Sequence, residues 1–437
     1  ALGRGGGTTV PGVVMLGLRP RAAEELRARL TRGSIVISAT NGKTTTARLV
    51  DAAATGAGWS TIANTAGSNL LSGVTAALLD GRDDTRLGVF EVDEAALPAV
   101  VDQVRPHVVV LMNLFRDQLD RYGELETLVA RWRDMVDELG PGTTLVLNAD
   151  DPAVAFLGHD RPDTVYFGLD VPQLGRETLA HAADSTRCPR CNEALDYELI
   201  AIGHMGHWRC PACGLGRPRP AVLATNVTLD RLDGFTLDVA TPRGNLSATV
   251  ALPGLHNAYN ACAAVASAQA LDLPDEAIVD ALATTQAAFG RGERIVIDDR
   301  ELLLLLAKNP AGANENVRAA LLAEGDLHVM VFLNDRTADG QDVSWIWDVD
   351  YEPLFDRLGS LTISGDRAHD LALRFVYGGM SPERIVVEPN VHAAVDIALT
   401  AAPAGATIHA LPTYTAMLDL RADLVHRGVT HDFWDDR

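Results

Sequence analysis

Lysine is nearly absent from this chain. Of its 37 basic residues, only Lys43 and Lys308 are lysines, and the rest are arginines. Since arginine fills almost every basic position, each remaining lysine marks a place where a planar guanidinium does not serve. A compact ammonium on a flexible stem fits between the phosphates of a nucleotide, where a planar fork is too bulky. The two lysines are therefore candidate functional residues.

Long apolar runs and basic surface are also lacking. The longest apolar stretches, such as residues 302–307, suit a buried strand and fall short of the ~18 residues that span a membrane. The first seven residues are rich in glycine and lack the apolar centre of a signal peptide. The net charge of −21 argues against non-specific binding to nucleic acid or to anionic lipid. We expect a soluble cytoplasmic protein without a transmembrane segment.

At 437 residues, the chain is too long for one ordinary core. Its first third alternates apolar strands with helices, and Glu91, Asn113 and Asn148 stand where three of these strands end. Polar residues at the carboxyl ends of buried strands predict a ligand crevice at one edge of a parallel sheet. The pattern favours an α/β fold with a second, smaller αβ block. The predicted parts are an N-terminal segment (1–33), a central domain (34–294) and a C-terminal domain (295–437).

The segment 39–46 is typical of a phosphate-binding loop, because an apolar strand precedes it and a helix follows. The general pattern is incomplete, since Ile37 stands where its first glycine belongs. Backbone N–H groups from Asn41 to Thr44 would hold phosphates at the helix N-terminus, and the Thr44 hydroxyl would bind Mg²⁺. The alternative is a turn without a ligand. The predicted nucleotide-binding residues of the loop are Thr40, Asn41, Gly42, Lys43, Thr44 and Thr45.

Glu91 is the predicted carboxylate ligand of Mg²⁺. It ends a strand across from the phosphate loop, where it can hold the ion directly or through water. Asp93 and Glu94 follow closely and compete for this role. Each of the three acids could instead be a solvated loop residue.

Four of the five cysteines form two C-x₂-C pairs separated by eighteen residues, within an inserted segment at 184–220. This spacing is typical of a structural zinc ribbon with a closed Cys₄ site. His204 and His207 lie between the pairs and could compete as ligands. Two disulfides are the alternative, which a cytoplasmic location argues against. The fifth cysteine, Cys262, lies on an alanine-rich helix, where we expect a small buried residue. The chain therefore offers no plausible thiol nucleophile. The predicted zinc ligands are Cys188, Cys191, Cys210 and Cys213.

Together these motifs resemble the Mur ligases, ATP-dependent enzymes that build the peptidoglycan stem peptide. The resemblance implies a Mur-ligase-like fold, ATP on the phosphate loop, and Mg²⁺ near Thr44 and Glu91. It also implies that Asn257 and Asn260 lie near the adenine and that Arg291 belongs to the nucleotide site. The chemistry implied is phosphorylation of a carboxyl group followed by attack of an amine. The matching segments are residues 39–46, Glu91, Asn113, 117–123, 148–152, 255–260 and Arg291.

Three departures from the Mur pattern narrow the resemblance. Gln118 replaces a metal-binding histidine, no lysine between Lys43 and Lys308 is present for carbamoylation, and the zinc ribbon interrupts the central domain. With segments 339–350, 364–368 and 411–418, these features resemble a synthetase subunit that works as a heterodimer with a GatD-like glutaminase.

The reaction that this resemblance implies is ATP-dependent amidation of the α-carboxyl of D-glutamate in the lipid II stem peptide, giving D-isoglutamine. It would proceed through an acyl phosphate at the inner face of the cell membrane, with ammonia from the glutaminase. Two alternatives stay open. One is a Mur-type ligase that adds an amino acid to a peptidoglycan precursor, and the other is a nucleic-acid-binding ATPase built around the zinc ribbon.

Lys43 and Glu91 are the predicted catalytic residues of the ATP site, and Asp348 is predicted to serve the partner. Asp348 lies in the tryptophan-rich loop 343–348. In the family this region carries an aspartate that completes the Cys–His pair of the glutaminase, and the resemblance assigns that role to Asp348, with Asp342 second. Lys308 is a candidate ligand of the substrate carboxylate or of the γ-phosphate once the domains close. It could also be a surface lysine.

Overall fold

The described part of the chain forms two large sheets and one separate hairpin. The computed structural model describes residues 9–64, 67–82, 84–117, 125–179, 181, 183–230, 233–286 and 291–431. Its strands are β1 (Ser34–Ser38), β2 (Thr61–Ala63), β3 (Leu87–Glu91), β4 (Val108–Leu111), β5 (Thr144–Asn148), β6 (Thr164–Leu169), β7 (Asp196–Ile202), β8 (Met205–Arg209), β9 (Val222–Asp230), β10 (Gly234–Thr241), β11 (Gly244–Val250), β12 (Arg291–Ile297), β13 (Arg300–Leu305), β14 (Leu327–Phe332), β15 (Leu358–Ser364), β16 (Val386–Val387) and β17 (Thr407–Pro412). Its α-helices are α1 (Val10–Leu18), α2 (Ala22–Leu26), α3 (Lys43–Gly56), α4 (Leu71–Asp80), α5 (Leu97–Val104), α6 (Leu125–Glu138), α7 (Pro152–Leu157), α8 (Leu255–Ala270), α9 (Asp275–Thr284), α10 (Pro310–Ala320), α11 (Ala368–Tyr377), α12 (Val391–Ala401) and α13 (Tyr414–His426).

The central sheet is mainly parallel and is covered on both faces. Within the described ranges its order is β11-β10-β9-β6-β5-β4-β1-β3-β2. Along this order, every neighbouring pair between β9 and β2 is parallel. Every residue of β1 is buried, as a strand between two helical layers requires. Ile35 and Ile37 pack with α3 and α8, whereas Val36 packs with α4 and α5. This confirms the predicted α/β class.

The predicted crevice lies at the carboxyl edge of this sheet. β1 stands between β3 and β4, so that Ile37 pairs with Glu91 and Ser38 pairs with Leu111. The phosphate loop therefore leaves the sheet between Glu91 on one side and Asn113 on the other. The geometry follows from the parallel arrangement, because parallel strands end at the same edge.

Two further segments pack around this sheet. In the N-terminal segment, α1 lies so close to α4 that a Cβ on Gly12 would stand 1.8 Å from the carbonyl oxygen of Ser72. In the insertion at 184–220, β7 and β8 form an antiparallel hairpin. The hairpin packs against α7 through a small apolar cluster that includes Trp208 and Ala155.

The C-terminal domain has a sheet of its own. Among the described residues its order is β12-β13-β17-β14-β15-β16, parallel except for the β12–β13 pair. β12 begins at Arg291 and runs across the predicted boundary between residues 294 and 295. No helix in the described part of the chain combines the length and apolar character needed to cross a bilayer.

Candidate nucleotide site between two domains

The phosphate loop turns sharply into α3. Gly42 has φ +94°, and a Cβ there would stand 2.0 Å from Oδ1 of Asn260. Only glycine satisfies both constraints. The Lys43 ammonium folds back over the loop and donates to the carbonyl oxygen of Ala39 at 2.8 Å. The loop thus has the local geometry of an anion-binding helix N-terminus.

Side chains after β4 hold the phosphate loop in shape. Asn113 Oδ1 accepts from the backbone N–H of Asn41 at 2.9 Å, and its amide donates back to the Asn41 carbonyl at 2.9 Å. The Thr40 hydroxyl accepts from the backbone N–H of Phe115 at 3.0 Å. The loop is therefore preorganised by its neighbour in the sheet, which explains the position of Asn113.

The two lysines meet in one buried cluster of alternating charge. Lys43 Nζ lies 3.1 Å from Glu94 Oε2, and Lys308 Nζ lies 2.5 Å from Asp117 Oδ2. Burial alone would raise the pKa of Glu94, but the ammonium groups of Lys43 and Lys308 outweigh burial and lower it. Burial raises the pKa of Asp117, and Lys308 opposes that rise. Lys308 is thus part of the site and not an isolated surface lysine.

Among the three candidate Mg²⁺ acids, Glu91 has the surroundings that fit a cation best. Glu94 is paired with Lys43, and Asp93 Oδ1 accepts from the backbone N–H of Ala95 at 3.2 Å. Glu91 is 4% exposed, and its Oε2 atom has no hydrogen-bond partner in the described part of the chain. A buried carboxylate oxygen that lacks such a partner suits a hard cation, which prefers oxygen ligands. Thr44, in the first turn of α3, is half-buried.

A cavity of about 120 Å³ lies between the central and C-terminal domains. Asn257 and Asn260 line it together with Gly42 and Lys308, so the predicted phosphate and adenine residues share one space. Asn260 donates to Asn257 Oδ1 at 2.8 Å. The side chain of Arg291 and the residue Gln118 lie outside the part that the structure describes.

The domains are closed over this cavity. Asn41 and Asn309 exchange two side-chain hydrogen bonds, at 3.4 and 3.1 Å, across the domain boundary. Asn309 also caps α10 by accepting from the N–H of Gly312 at 2.8 Å. The first turn of α10 is thereby tied to the phosphate loop. The sequence reasoning missed Asn309, although its position next to Lys308, before a proline and a helix, is a recognisable capping signal.

The four predicted zinc ligands converge. The Sγ atoms of Cys188, Cys191, Cys210 and Cys213 all lie within 4.8 Å of one another. Each pair is a tight knuckle that ends in a left-handed residue, Asn192 (φ +63°) or Gly214 (φ +72°). The backbone N–H of Cys213 points at the Cys210 sulfur and lowers the pKa of that thiol to about 7. Four sulfurs at this separation fit a tetrahedral zinc ion with no open position.

The two histidines of the insertion are held elsewhere. His204 is fully buried, with Nε2 3.1 Å from Asp151 Oδ2, and its ring contacts that of Phe115 at a tilt of 45°, with the centroids 4.5 Å apart. His207 Nε2 lies 3.0 Å from the carbonyl oxygen of Leu169. Both side chains therefore connect the hairpin to the central domain, which leaves the four sulfurs as the metal-binding set.

The tryptophan-rich loop lies at the surface beside the domain boundary. Asp348 is about one-third exposed, and its carboxylate lies 3.3 Å from Arg116 of the central domain. Asp342 Oδ1 instead accepts from the backbone N–H of Ser344 at 2.8 Å, and the Ser344 donor lowers the pKa of Asp342. Trp347 is 49% exposed and meets the ring of Tyr377, itself 77% exposed, edge to face at 5.7 Å.

Comparison with known proteins gives a consistent picture. The family model of the Mur ligase middle domain matches residues 37–188, and that of the MurT ligase C-terminal domain matches residues 306–417. The subunit MurT of lipid II isoglutaminyl synthase (glutamine-hydrolyzing) from Streptococcus pneumoniae is 32% identical to this chain, over 97% of it and 94% of the relative. The MurT subunit from Staphylococcus aureus is 31% identical, over 96% and 93%.

Among solved structures, a pseudomurein peptide ligase type C from Methanothermus fervidus superposes with a TM-score of 0.72. The match covers 90% of this chain and 79% of that one, at 22% identity. At this identity the likeness establishes the fold alone. It agrees with the parallel sheet and the C-terminal domain described above.

Proposed function

Because this chain belongs to the Mur ligase family, and within it to the MurT subunits of lipid II isoglutaminyl synthase, we propose that it amidates the α-carboxyl of D-glutamate in the lipid II stem peptide. ATP would transfer its γ-phosphoryl group to a carboxylate oxygen, giving ADP and an acyl phosphate. Ammonia then attacks the acyl carbon, phosphate leaves, and loss of a proton gives D-isoglutamine. The work would take place in the cytoplasm, at the inner face of the membrane that carries the lipid.

The observation that carries this proposal is the buried charge cluster that Lys43 and Lys308 share, with Lys308 in the wall of the cavity between the domains. Phosphoryl transfer depends mainly on positioned positive charge around the transferring group. The two ammonium groups and the N–H groups at the start of α3 supply that charge. Glu91 and Thr44 are suited to hold Mg²⁺, which when bound would offset further negative charge on the phosphates.

The buried state of Cys262 supports an external source of ammonia. Glutamine hydrolysis of the thiol type needs an activated, accessible sulfur. Burial raises the pKa of the Cys262 thiol to about 12, and the other four cysteines form the predicted zinc site. A separate, GatD-like glutaminase partner is therefore part of the proposal.

An exposed aromatic surface next to Asp348 suits that partner. We name Trp347, Leu373 and Tyr377 the Trp347 patch; their exposed fractions are 49%, 51% and 77%. Large exposed aromatic side chains are enriched where proteins associate. Asp348 stands at the edge of this patch with its carboxylate partly open to solvent. This exposure supports the proposed role of Asp348 at the catalytic group of a bound partner.

The decisive experiment is purification of the chain with and without its co-expressed glutaminase. We expect amidation of lipid II that requires ATP, Mg²⁺ and glutamine and occurs only with both subunits. The mass of the product distinguishes the alternatives, since amidation lowers the mass by about one unit relative to the acid, whereas an amino-acid ligase adds a whole residue. Residue addition without glutamine would refute the proposal.

Asp348→Asn tests the contribution to the partner. We expect this variant to assemble normally with the glutaminase but to lose most glutamine-dependent amidation, while amidation with added ammonium salt persists. Asp342→Asn decides between the two candidate aspartates, because the Asp342 carboxylate already accepts from the backbone N–H of Ser344 and its loss should leave glutamine-dependent amidation intact. Full glutamine-dependent activity in Asp348→Asn would eliminate the role of this carboxylate.

A further inference from the structure

The tip of the zinc-ribbon hairpin forms part of the wall of the nucleotide cavity. Ile202 ends β7 and Met205 begins β8, and both residues line the cavity together with Asn257 in the first turn of α8. Both are at least 95% buried. A zinc ribbon that served only as a surface module would not need to bury apolar residues of its tip beside the phosphate loop.

Four consecutive residues of the central domain hold this hairpin in place. Asn148 donates to the sulfur of Met205 at 3.3 Å, and the carbonyl oxygen of Ala149 accepts from the indole of Trp208 at 3.0 Å. The next two are acids. Asp150 pairs with Arg217 at 2.6 Å, and Asp151 contacts His204 at 3.1 Å. The segment 148–151 thus acts as a continuous clamp on the insertion, from its tip to the second knuckle.

The hairpin tip also touches the residue that shapes the phosphate loop. Gly203 lies on the ring of Phe115, where an added Cβ would stand 2.7 Å from a ring carbon. The backbone of Phe115 is hydrogen-bonded to the hydroxyl of Thr40 at 3.0 Å. A short chain of contacts therefore runs from the tip to the phosphate loop.

The same hairpin is bound by the C-terminal domain. Arg318 on α10 donates to the carbonyl oxygen of Ala201 at 3.0 Å and to that of Leu174 at 2.5 Å. Ala201 directly precedes Ile202 in β7. The tip is thereby enclosed by the three elements that surround the cavity: the central sheet, α8 and α10.

We propose that the zinc ribbon is a structural wall of the nucleotide site, in which the hairpin tip contacts the bound nucleotide through Ile202 and Met205 and the Cys₄ site keeps that tip in position. The proposal rests on the proposed function, because it assumes that the cavity takes ATP. It predicts that nucleotide affinity depends on the state of the zinc site, although none of the four cysteines lines the cavity.

The first test measures ADP binding to the full chain by calorimetry. Ile202→Ala and Met205→Ala should each raise the Kd for ADP about five- to tenfold, which is typical for loss of one apolar contact with a ligand. Glu198→Ala is the matched control, since Glu198 lies on β7 of the same hairpin with its side chain exposed. Thermal melting of every variant identifies any that fails to fold.

The second test uses the metal itself and needs no substitution. Removal of zinc by a chelator should raise the Kd for ADP at least as much as either alanine substitution, and zinc added back should restore it. Coupling between two sites is reciprocal in binding free energy, so saturating ADP should lower the Kd for zinc, measured at equilibrium against a colorimetric chelator and without any catalytic turnover.

The outcomes separate the two proposals. If the zinc-loaded wild-type chain does not bind ADP, the proposed function fails and this inference fails with it. If it binds ADP, but a folded zinc-free chain and both alanine variants bind ADP with unchanged Kd, the inference alone is overturned. Weaker ADP binding in the variants, together with tighter zinc binding in the presence of ADP, supports the role of the hairpin tip as a wall of the site.

Discussion

Replacement of Lys308 by methionine tests whether the C-terminal domain takes part in phosphoryl transfer. Methionine retains most of the length and apolar volume of the lysine stem but removes the ammonium. In the structure this ammonium lies 2.5 Å from Asp117, whose side chain is 5% exposed, and it belongs to the cluster that contains Lys43 and Glu94. The substitution therefore removes one of two positive side chains from the centre of the site.

The magnitude follows from two effects. Loss of one preorganised group that stabilises developing charge typically lowers kcat by about 10²- to 10³-fold. Loss of the ion pair also costs stability, because Asp117 stays buried without its cation. A fully buried pair would cost about 3–5 kcal/mol. Since the Lys308 side chain is about one-third exposed, we expect about 1–3 kcal/mol. Asp117 would relieve part of this cost by binding a proton, as its raised pKa allows.

The assay is ATP- and glutamine-dependent amidation by the complex, with ADP binding measured separately. We expect kcat to fall by about 10²-fold or more in Lys308→Met, with a much smaller change in the Kd for ADP, which lacks the γ-phosphate. Lys308→Arg retains the charge, so its stability should stay close to that of wild type. Its kcat should still fall, because a planar guanidinium cannot reproduce the ammonium geometry. If Lys308→Met kept the wild-type kcat, Lys308 would have only a structural role, as the partner of Asp117 in an ion pair between the domains.

Two further predictions concern other buried groups. Glu91→Gln should raise the Mg²⁺ concentration needed for half-maximal activity by about tenfold or more. Thermal stability should change little, because the Oε2 atom has no hydrogen-bond partner among the described residues. An unchanged Mg²⁺ dependence would exclude Glu91 as a ligand. Burial lowers the pKa of His409 from 6.5 to about 4, and neither ring nitrogen has a hydrogen-bond partner in the described structure. The stabilising contribution of neutral His409 is fully present above pH 6.5 and is lost as the pH falls toward 4. The difference in free energy of unfolding between wild type and His409→Phe, measured by urea titration, should therefore change by about 3 kcal/mol between pH 7 and pH 4. A difference that stays constant with pH would contradict the burial argument.

Local chemistry made the phosphate loop and the zinc quartet predictable from sequence. The strand before Lys43 and the helix after it are set by neighbouring residues, and the observed α3 (Lys43–Gly56) is the helix predicted to follow the loop. The two knuckles are short C-x₂-C turns, and their spacing predicts convergence on one ion. In both features the information lies in contiguous segments.

The pairing of Lys308 with Asp117 could not be predicted in this way. The two residues lie on different domains, so their contact depends on how the domains close, which no periodicity records. The same holds for Glu94, which was one of three candidate Mg²⁺ acids in the sequence. It is the partner of Lys43 because the loop after β3 folds back over the phosphate loop. The clamp formed by residues 148–151 was visible as a motif, but its partners in the insertion were not.

The charge cluster suggests why the site is built from two domains. Each domain supplies one lysine, and each ammonium has a carboxylate partner of its own. We therefore expect a bound nucleotide to compete with Glu94 and Asp117 for these cations. Because burial makes Asp117 easier to protonate, the cluster can shed negative charge as the phosphates bring theirs. Opening the domains would separate Lys308 from Lys43, so full positive charge around the transferring phosphoryl group exists only in the closed state.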